Sequence, residues 1–428
     1  MERTALPGAG ARVPRAQAPH DPHDPDTPHA PHARVEPFTS EVPGWVLDDL
    51  RVRLWRTRWP DQVAGTPWGD GTDQDFLRTL VHHWLHDYDW RIAESRINAL
   101  SHHRATVGGT RIHFVHVRGR GPCPMPLILT HGWPGSFLEY GKIIPLLTDP
   151  AAHGGDPADA FDLVIPSLPG YGFSDRPTAP GMHVERIASI WAELMTDVLG
   201  YDRFAAHGSD IGAGVTSLLG LLVPERLFGI HLTSVTGSAI VRWLGEGAPP
   251  LTEAEMRFLA DADQWTEAEG GYAHVQRTKP QSLAHALNDS PVGLAAWIVE
   301  KYRAWSDCGG DLTRRFTLDE LLTTITLYWV TGTIGSSIRL YHEGRAHPRR
   351  LRPGERVEVP CAAALFPRDI ARPPREWGER AYRITRWTEM PRGGHFPAHE
   401  EPELLAADIA AFFRPMRGAA RAEERRAS

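Results

Sequence analysis

The sequence is poor in the features that define several large protein classes. Its three cysteines, Cys123, Cys308 and Cys361, are too few and too scattered for a disulfide framework or a cysteine zinc site. That usage suits a reducing compartment. No run of 18 apolar residues exists, so no segment reads as a membrane span. No apolar signal core follows the N-terminus. Lys and Arg number 46 against 53 Asp and Glu, a formal net charge of −7, and no basic run marks a nucleic-acid face. The chain therefore reads as cytoplasmic, with neither nucleic acid nor a membrane as partner.

What is present is length and pattern. The 428 residues, 41% of them apolar, allow a large core plus an accessory region. Residues 1–35 are rich in Pro, His, Asp, Ala and Arg and read as a disordered tail. Its His20, His23, His29 and His32 have a spacing that could bind metal, but a solvated tail is the plainer reading, and no metal or other cofactor is expected. Residues 36–110 read as a helical cap, with Trp45, Leu47, Leu50, Leu54 and Trp55, then Phe76, Leu80, Leu85 and Trp90, near helical spacing. Trp55 and Trp90 are expected in packing roles. From 111 the pattern changes. "RIHFVHVRG" alternates, while "PLILTHGWPG", "FDLVIPSLPGYG", "RFAAHGSD" and "FGIHLTSV" are short apolar runs ending in turns, with helical stretches between. The alternation stops over 237–350, which reads as a helical lid. It resumes over 351–415, and 416–428 reads as a loose tail. The predicted fold is α/β, a mostly parallel sheet flanked by helices.

The stretch "AAHGSDIGAGV", residues 205–215, has the outline of a nucleophile elbow, where a strand turns sharply into a helix. Gly208 and Gly212 frame Asp210 at its crest. Ser209 is one place out of register, which disfavours an esterase. Asp369, after the strand "CAAALF", and His395, in "RGGHFPAHEEPELL", complete the order nucleophile, acid, histidine of an α/β hydrolase. Each has a rival. Asp210 could cap the following helix, Glu358 and Glu376 are alternative acids, and His399 is an alternative histidine. The loop "THGWPGS", residues 130–136, ends another strand. There the backbone N–H of Trp133 could join that of Ile211 as an oxyanion hole.

An aspartate at the elbow points to displacement at saturated carbon. A carboxylate attacking an sp³ carbon forms an ester, which water can cleave at the aspartate's own carbonyl. Epoxides and alkyl halides are the obvious substrates. A halide needs N–H donors, and the residue after the nucleophile is Ile211 rather than the Trp or Arg of dehalogenases. An epoxide oxygen needs a proton, which tyrosine can supply. The lid offers Tyr272, Tyr302, Tyr328 and Tyr341, and spacing alone does not choose among them.

Over residues 36–415 the chain resembles the microsomal-type epoxide hydrolases of the α/β-hydrolase superfamily. The resemblance rests on "RLWRTRWPD", "GGTRIHFVHV", "HGWPGS", "PSLPGYGFSD", "GSDIGA", "TKPQSLAHALNDSPVGLAAWIVEK" and "GGHFPAHEEPE". It implies Asp210 as nucleophile, Asp369 and His395 as the charge-relay pair, and Tyr272 and Tyr341 as acids toward the epoxide oxygen. It implies an epoxide and water as the reaction partners, no cofactor, and a possible homodimer. Membrane-bound relatives begin with an anchor helix, where this chain has the Pro/His-rich tail. Trp243, Trp265, Trp297, Trp305 and Trp329 in the lid favour a bulky or aryl epoxide, and the resemblance implies a role in detoxification or in natural-product biosynthesis such as that of enediynes. The alternatives are a haloalkane-type dehalogenase and an inactive small-molecule-binding homologue.

Overall fold

The computed structural model describes residues 34–235 and 240–427, with side chains through residue 417. The tail's four histidines lie outside the described residues. Among the described residues eleven strands occur: β1 Glu36–Pro37, β2 His102–Val107, β3 Thr110–Val117, β4 Met125–Thr130, β5 Phe161–Pro166, β6 Phe204–Gly208, β7 Leu227–Leu232, β8 Ile240–Val241, β9 Arg349–Arg350, β10 Val357–Leu365 and β11 Tyr382–Glu389. Nine form one sheet in the order β1-β2-β3-β5-β4-β6-β7-β10-β11. Pairing is antiparallel from β1 to β5 and parallel from there to β11. Strands β5 and β6 are buried at every position. Helices cover both faces of the parallel part, so an unbroken apolar run, rather than alternation, is what such strands require.

Two small strands, β8 and β9, pair with each other and bracket an insertion between β7 and β10. Six helices of at least eight residues fill it, from Glu253–Glu269 to Ile334–Ala346. Three N-terminal helices, Gly44–Trp55, Gln74–His86 and Trp90–Asn98, rest on this insertion. Arg53 reaches Asp289 at 2.6 Å and His83 reaches Asp319 at 2.7 Å.

Three readings of the sequence need correction. The N-terminal helical region stops at Asn98, and His102–Val107 is sheet. The boundary placed at 110 therefore falls inside the β2–β3 hairpin. Trp55 does not pack inside: it is 68% exposed, as Trp45 is 72% exposed, because Leu50 and Leu54 already form the buried face and Trp55 stands one residue, about 100°, off it. The last helix, Pro402–Ala427, runs through the residues expected to be loose and contains Pro415. Its Ala-, Arg- and Glu-rich end has strong helix propensity.

The β2–β3 hairpin carries a chain of buried histidines. The carbonyl of Ile97 accepts from His102 Nε2 at 2.6 Å, so His102 Nδ1 accepts from His113 Nε2 at 2.8 Å, and His113 Nδ1 accepts from the Ser167 hydroxyl at 2.9 Å. A proton on His102 would set its Nδ1–H against the Nε2–H of His113. Burial lowers both pKa values, and it lowers that of His131, beyond β4, to about 4. In the unfolded chain histidine titrates near ~6.5. The stability tied to these neutral rings is complete above that value and is lost as pH falls toward about 4. The thermal midpoint is expected to drop between pH 6.5 and pH 5, with protons taken up on unfolding. Calorimetry in buffers of different ionisation enthalpy measures that uptake, and zero uptake would contradict a neutral chain.

Candidate active site

Strand β6 ends at Gly208 and the next helix begins at Ile211. Asp210 between them has φ 49° and ψ −121°, a conformation that L-residues adopt only when their surroundings impose it. The glycines impose it. A Cβ at Gly208 would lie 2.1 Å from the carbonyl oxygen of Gly212, and one at Gly212 would lie 1.9 Å from that of Thr130. A Cβ at Gly132 would strike Oδ1 of Asp210 itself, at 2.2 Å. Three glycines thus clear the space in which one carboxylate is held at the C-terminal edge of the sheet.

The two oxygens of that carboxylate have different surroundings. Oδ1 accepts from the backbone N–H of Trp133 at 2.8 Å, and the N–H of Ile211 favours the ionised carboxylate. Oδ2 lies 3.6 Å from Nε2 of His395. On its other side His395 Nδ1 meets Asp369 Oδ1 at 2.5 Å. Asp369 in turn accepts from the Ile370 N–H at 2.7 Å and from Ser234 Oγ at 3.4 Å. The rivals face elsewhere: Glu358 pairs with Arg356 and Glu376 accepts from Thr252, both in solvent, and His399 meets Glu320 at 3.1 Å. Residues following β4, β6, β10 and β11 thus converge beyond the carboxyl ends of parallel strands, where open α/β sheets carry their ligands.

Charge follows geometry. Burial disfavours the ionised form of Asp210, but the charge of the nearby His395 and the backbone N–H groups of Trp133 and Ile211 outweigh it, and its pKa falls. Burial likewise opposes the imidazolium of His395. The carboxylates of Asp369 and Asp210 overcome it and raise its pKa to about 10. The resting pair is therefore carboxylate and imidazolium.

Tyr272 and Tyr341 come from different helices of the insertion and meet over the elbow. Tyr272 stacks on Trp133 with centroids 5.5 Å apart and planes 9° from parallel. Tyr341 meets Trp133 edge-on at 6.0 Å, and the two tyrosines are 6.0 Å apart. Burial, more than the nearby charges, raises both pKa values. Tyr302 and Tyr328 do other work: Tyr302 stacks on Phe396 at 4.2 Å, and Tyr328 donates to the carbonyl of Gly135 at 2.8 Å. Of the five tryptophans read in the insertion, Trp305 lies at the site, 5.2 Å from the His395 ring, whereas Trp243 is on the surface. Trp297 donates to Gln276, one helical turn beyond Tyr272, at 3.1 Å. It also lines a cavity of about 1000 Å³ between residues 56–72 and the helix Pro291–Trp305. No three His, Cys, Asp or Glu side chains among the described residues cluster as a metal ion would require.

One acid at the site escaped the sequence reading. Glu139 is 8% exposed, and its Oε1 fills the place a side chain at Gly135 would take, 1.4 Å from where that Cβ would stand. Burial first, and the charge of Asp210 second, raise its pKa to about 8 against the opposing pull of His395. Its surroundings favour the protonated, neutral acid. Its only signal in the sequence is an acid inside the apolar run "FLEY" after "HGWPGS".

Residues 35–140 match the family described as epoxide hydrolase N terminus, and residues 125–302 match the alpha/beta hydrolase fold. Over 407 residues, 88% of each chain, the sequence is 38% identical to epoxide hydrolase 1 of Oryctolagus cuniculus. The chain belongs to the epoxide hydrolases. This hydrolase is also 43% identical, over 90% of its length and 86% of the relative's, to a protein of Stigmatella aurantiaca (strain DW4/3-1) that bears an epoxide hydrolase name. Among solved structures it is similar to the juvenile hormone epoxide hydrolase of the silkworm Bombyx mori, with a TM-score of 0.77 and 29% identity over 90% of this chain and 95% of that one. The Aspergillus niger epoxide hydrolase gives the same score and identity over 90% and 97%. The fold is that of the α/β hydrolases, and the activity is hydration of an epoxide to a diol. No helix of the hydrolase among the described residues is long and apolar enough to cross a membrane.

Proposed function

We propose that this epoxide hydrolase works in two covalent steps, with Asp210 as nucleophile. The observation that carries the reading is the divided carboxylate: Oδ1 tied to the Trp133 N–H at 2.8 Å, Oδ2 turned toward His395. In the first step Oδ2 attacks one epoxide carbon, the carbon–oxygen bond breaks, and Tyr272 or Tyr341 gives its proton to the departing oxygen. The resulting ester is neutral. Half of the negative charge that held the proton on His395 is then gone, so the imidazolium releases it and restores the tyrosine. In the second step water attacks Cγ of Asp210 and gives its proton to the now neutral His395. The negative charge gathers on Oδ1, between the N–H groups of Trp133 and Ile211. Collapse breaks the Cγ–Oδ2 bond, the diol oxygen takes the proton from His395, and Asp210, left as the acid, returns its own proton to the imidazole. Atoms and charges close on the resting pair.

Asp369 holds His395 by Nδ1, so Nε2 is the nitrogen that works. We place the substrate among bulky apolar or aryl epoxides because the rings of Trp133, Trp305, Tyr272 and Tyr341 surround the reacting groups; the resemblance leaves detoxification or natural-product biosynthesis as its setting. We place the enzyme in the cytoplasm on its cysteine usage. The test is a single turnover of styrene oxide in ¹⁸O-water with enzyme in excess. The diol is expected unlabelled and the label in the peptide carrying Asp210. Full label in the first diol would mean that water attacks the epoxide directly.

A further inference from the structure

His395 is not supported by the sheet alone. Its backbone N–H donates to the carbonyl of Trp305 at 2.8 Å, at the end of an insertion helix. Gly394 is pressed so close that a Cβ would lie 2.6 Å from that same carbonyl oxygen. The Gly393 N–H donates to Oδ2 of Asp307 at 3.0 Å. Asp307 donates its own N–H to Glu400 Oε2 at 2.7 Å, and Glu400 Oε1 accepts from the Phe396 N–H at 3.0 Å. Arg315 closes the arrangement. Its guanidinium donates to the carbonyl of Asp307 at 2.8 Å, to Asp307 Oδ2 at 2.9 Å and to Glu401 Oε1 at 2.7 Å. Glu401 is 4% exposed at its side chain and takes Arg392 on its other oxygen at 2.8 Å.

Arg315 therefore ties Asp307 of the insertion to Glu401 after His395, and those two carboxylates carry the connection on to Gly393 and Arg392 before it. The donor pattern uses the planar fork of arginine, three bonds in fixed directions, which a lysine ammonium reproduces only in part. Resting on the two-step reading above, we infer that Arg315 is a positioning residue that fixes His395 against the helical insertion for the hydrolytic step. It acts at a distance from the chemistry, on the loop that aims Nε2. Bond formation on Asp210 draws on the elbow and the tyrosines. Only the attack of water requires His395 at a defined reach from Cγ, where a misplacement of ~1 Å can slow a reaction about a hundredfold.

Intact-protein mass spectrometry on quenched reactions with styrene oxide separates the two steps. Arg315→Met is expected to form the adduct within about threefold of the wild-type rate and to release it about ten- to a hundredfold more slowly, so that alkylated enzyme becomes the main species during turnover. Arg315→Lys should recover part of the release rate, and Asp307→Asn should slow release in the same sense. Unchanged release in Arg315→Met, or equal slowing of both steps alongside a lowered thermal midpoint, would overturn the inference. Should Arg315→Met fail to fold, the two rates of Asp307→Asn decide it. Full ¹⁸O label in the first diol of the wild-type enzyme would instead overturn the two-step reading, and the clamp with it.

Discussion

His395→Ala is expected to leave the enzyme alkylated. Ring opening needs the Asp210 carboxylate and a tyrosine proton, and neither comes from the imidazole. Release needs a base beside Cγ, and the variant has none. Steady-state diol formation should fall by about 10²–10⁴, the usual span for a lost general base, while the intact mass rises by that of one substrate molecule. Loss of the imidazolium also removes a charge that keeps Asp210 ionised, so the adduct should form somewhat faster at pH 8 than at pH 6. A folded variant that gains no mass and makes no diol would place His395 in the first step and contradict the scheme. Turnover near the wild-type rate would mean that another base is at work.

The double replacement Tyr272→Phe with Tyr341→Phe is expected to fail at the opposite point. Both phenols are protonated throughout the working pH range, since burial raises their pKa values, and both lie against Trp133 above the nucleophile. Without them the epoxide oxygen departs as a bare alkoxide. The rate of adduct formation should drop by about 10²–10⁴, and in the His395→Ala background the ester should build up more slowly by the same factor. Each single change should cost less, because the remaining hydroxyl still donates. Quenched-flow mass spectrometry of the three variants reads these rates directly. A double variant that still alkylates Asp210 at nearly the wild-type rate would show that some other group protonates the oxygen.

The legible and illegible parts of the sequence differ in physical kind. The elbow was readable because its constraint is local: Gly208 and Gly212 stand two positions either side of Asp210, and no bulkier residue fits there. The buried parallel strands were readable because burial on both faces leaves an unbroken apolar run. Strand β2, "HHRATV", has no such run. Its inward positions include His102, whose burial is offset by hydrogen bonds to Ile97 and His113 that nothing local announces. Asp369 and His395 had the right order along the chain, but only the fold set Glu358, Glu376 and His399 aside. Tyr272 and Tyr341 were singled out by the resemblance, since their meeting depends on how the insertion helices pack. Arg315 and Glu401, 86 positions apart, carried no signal as a pair. Glu139 was hidden for the opposite reason, as an acid in an apolar turn whose meaning depends on the empty side of Gly135.

In the two-step scheme proposed above, the two oxygens of Asp210 do not share a fate: Oδ1, tied to the Trp133 N–H, stays with the protein, while Oδ2 departs in each diol and an oxygen from water takes its place. If the anchored oxygen keeps its tether between cycles, the atom that enters in one turnover is the atom that leaves in the next. Enzyme moved into ¹⁸O-water would then release one unlabelled diol and labelled diol from the second turnover onward, whereas a carboxylate free to rotate about Cβ–Cγ would give a second diol only half labelled. The hydrogen bond that prepares the oxyanion hole thereby gives a single side chain an isotopic memory one turnover deep.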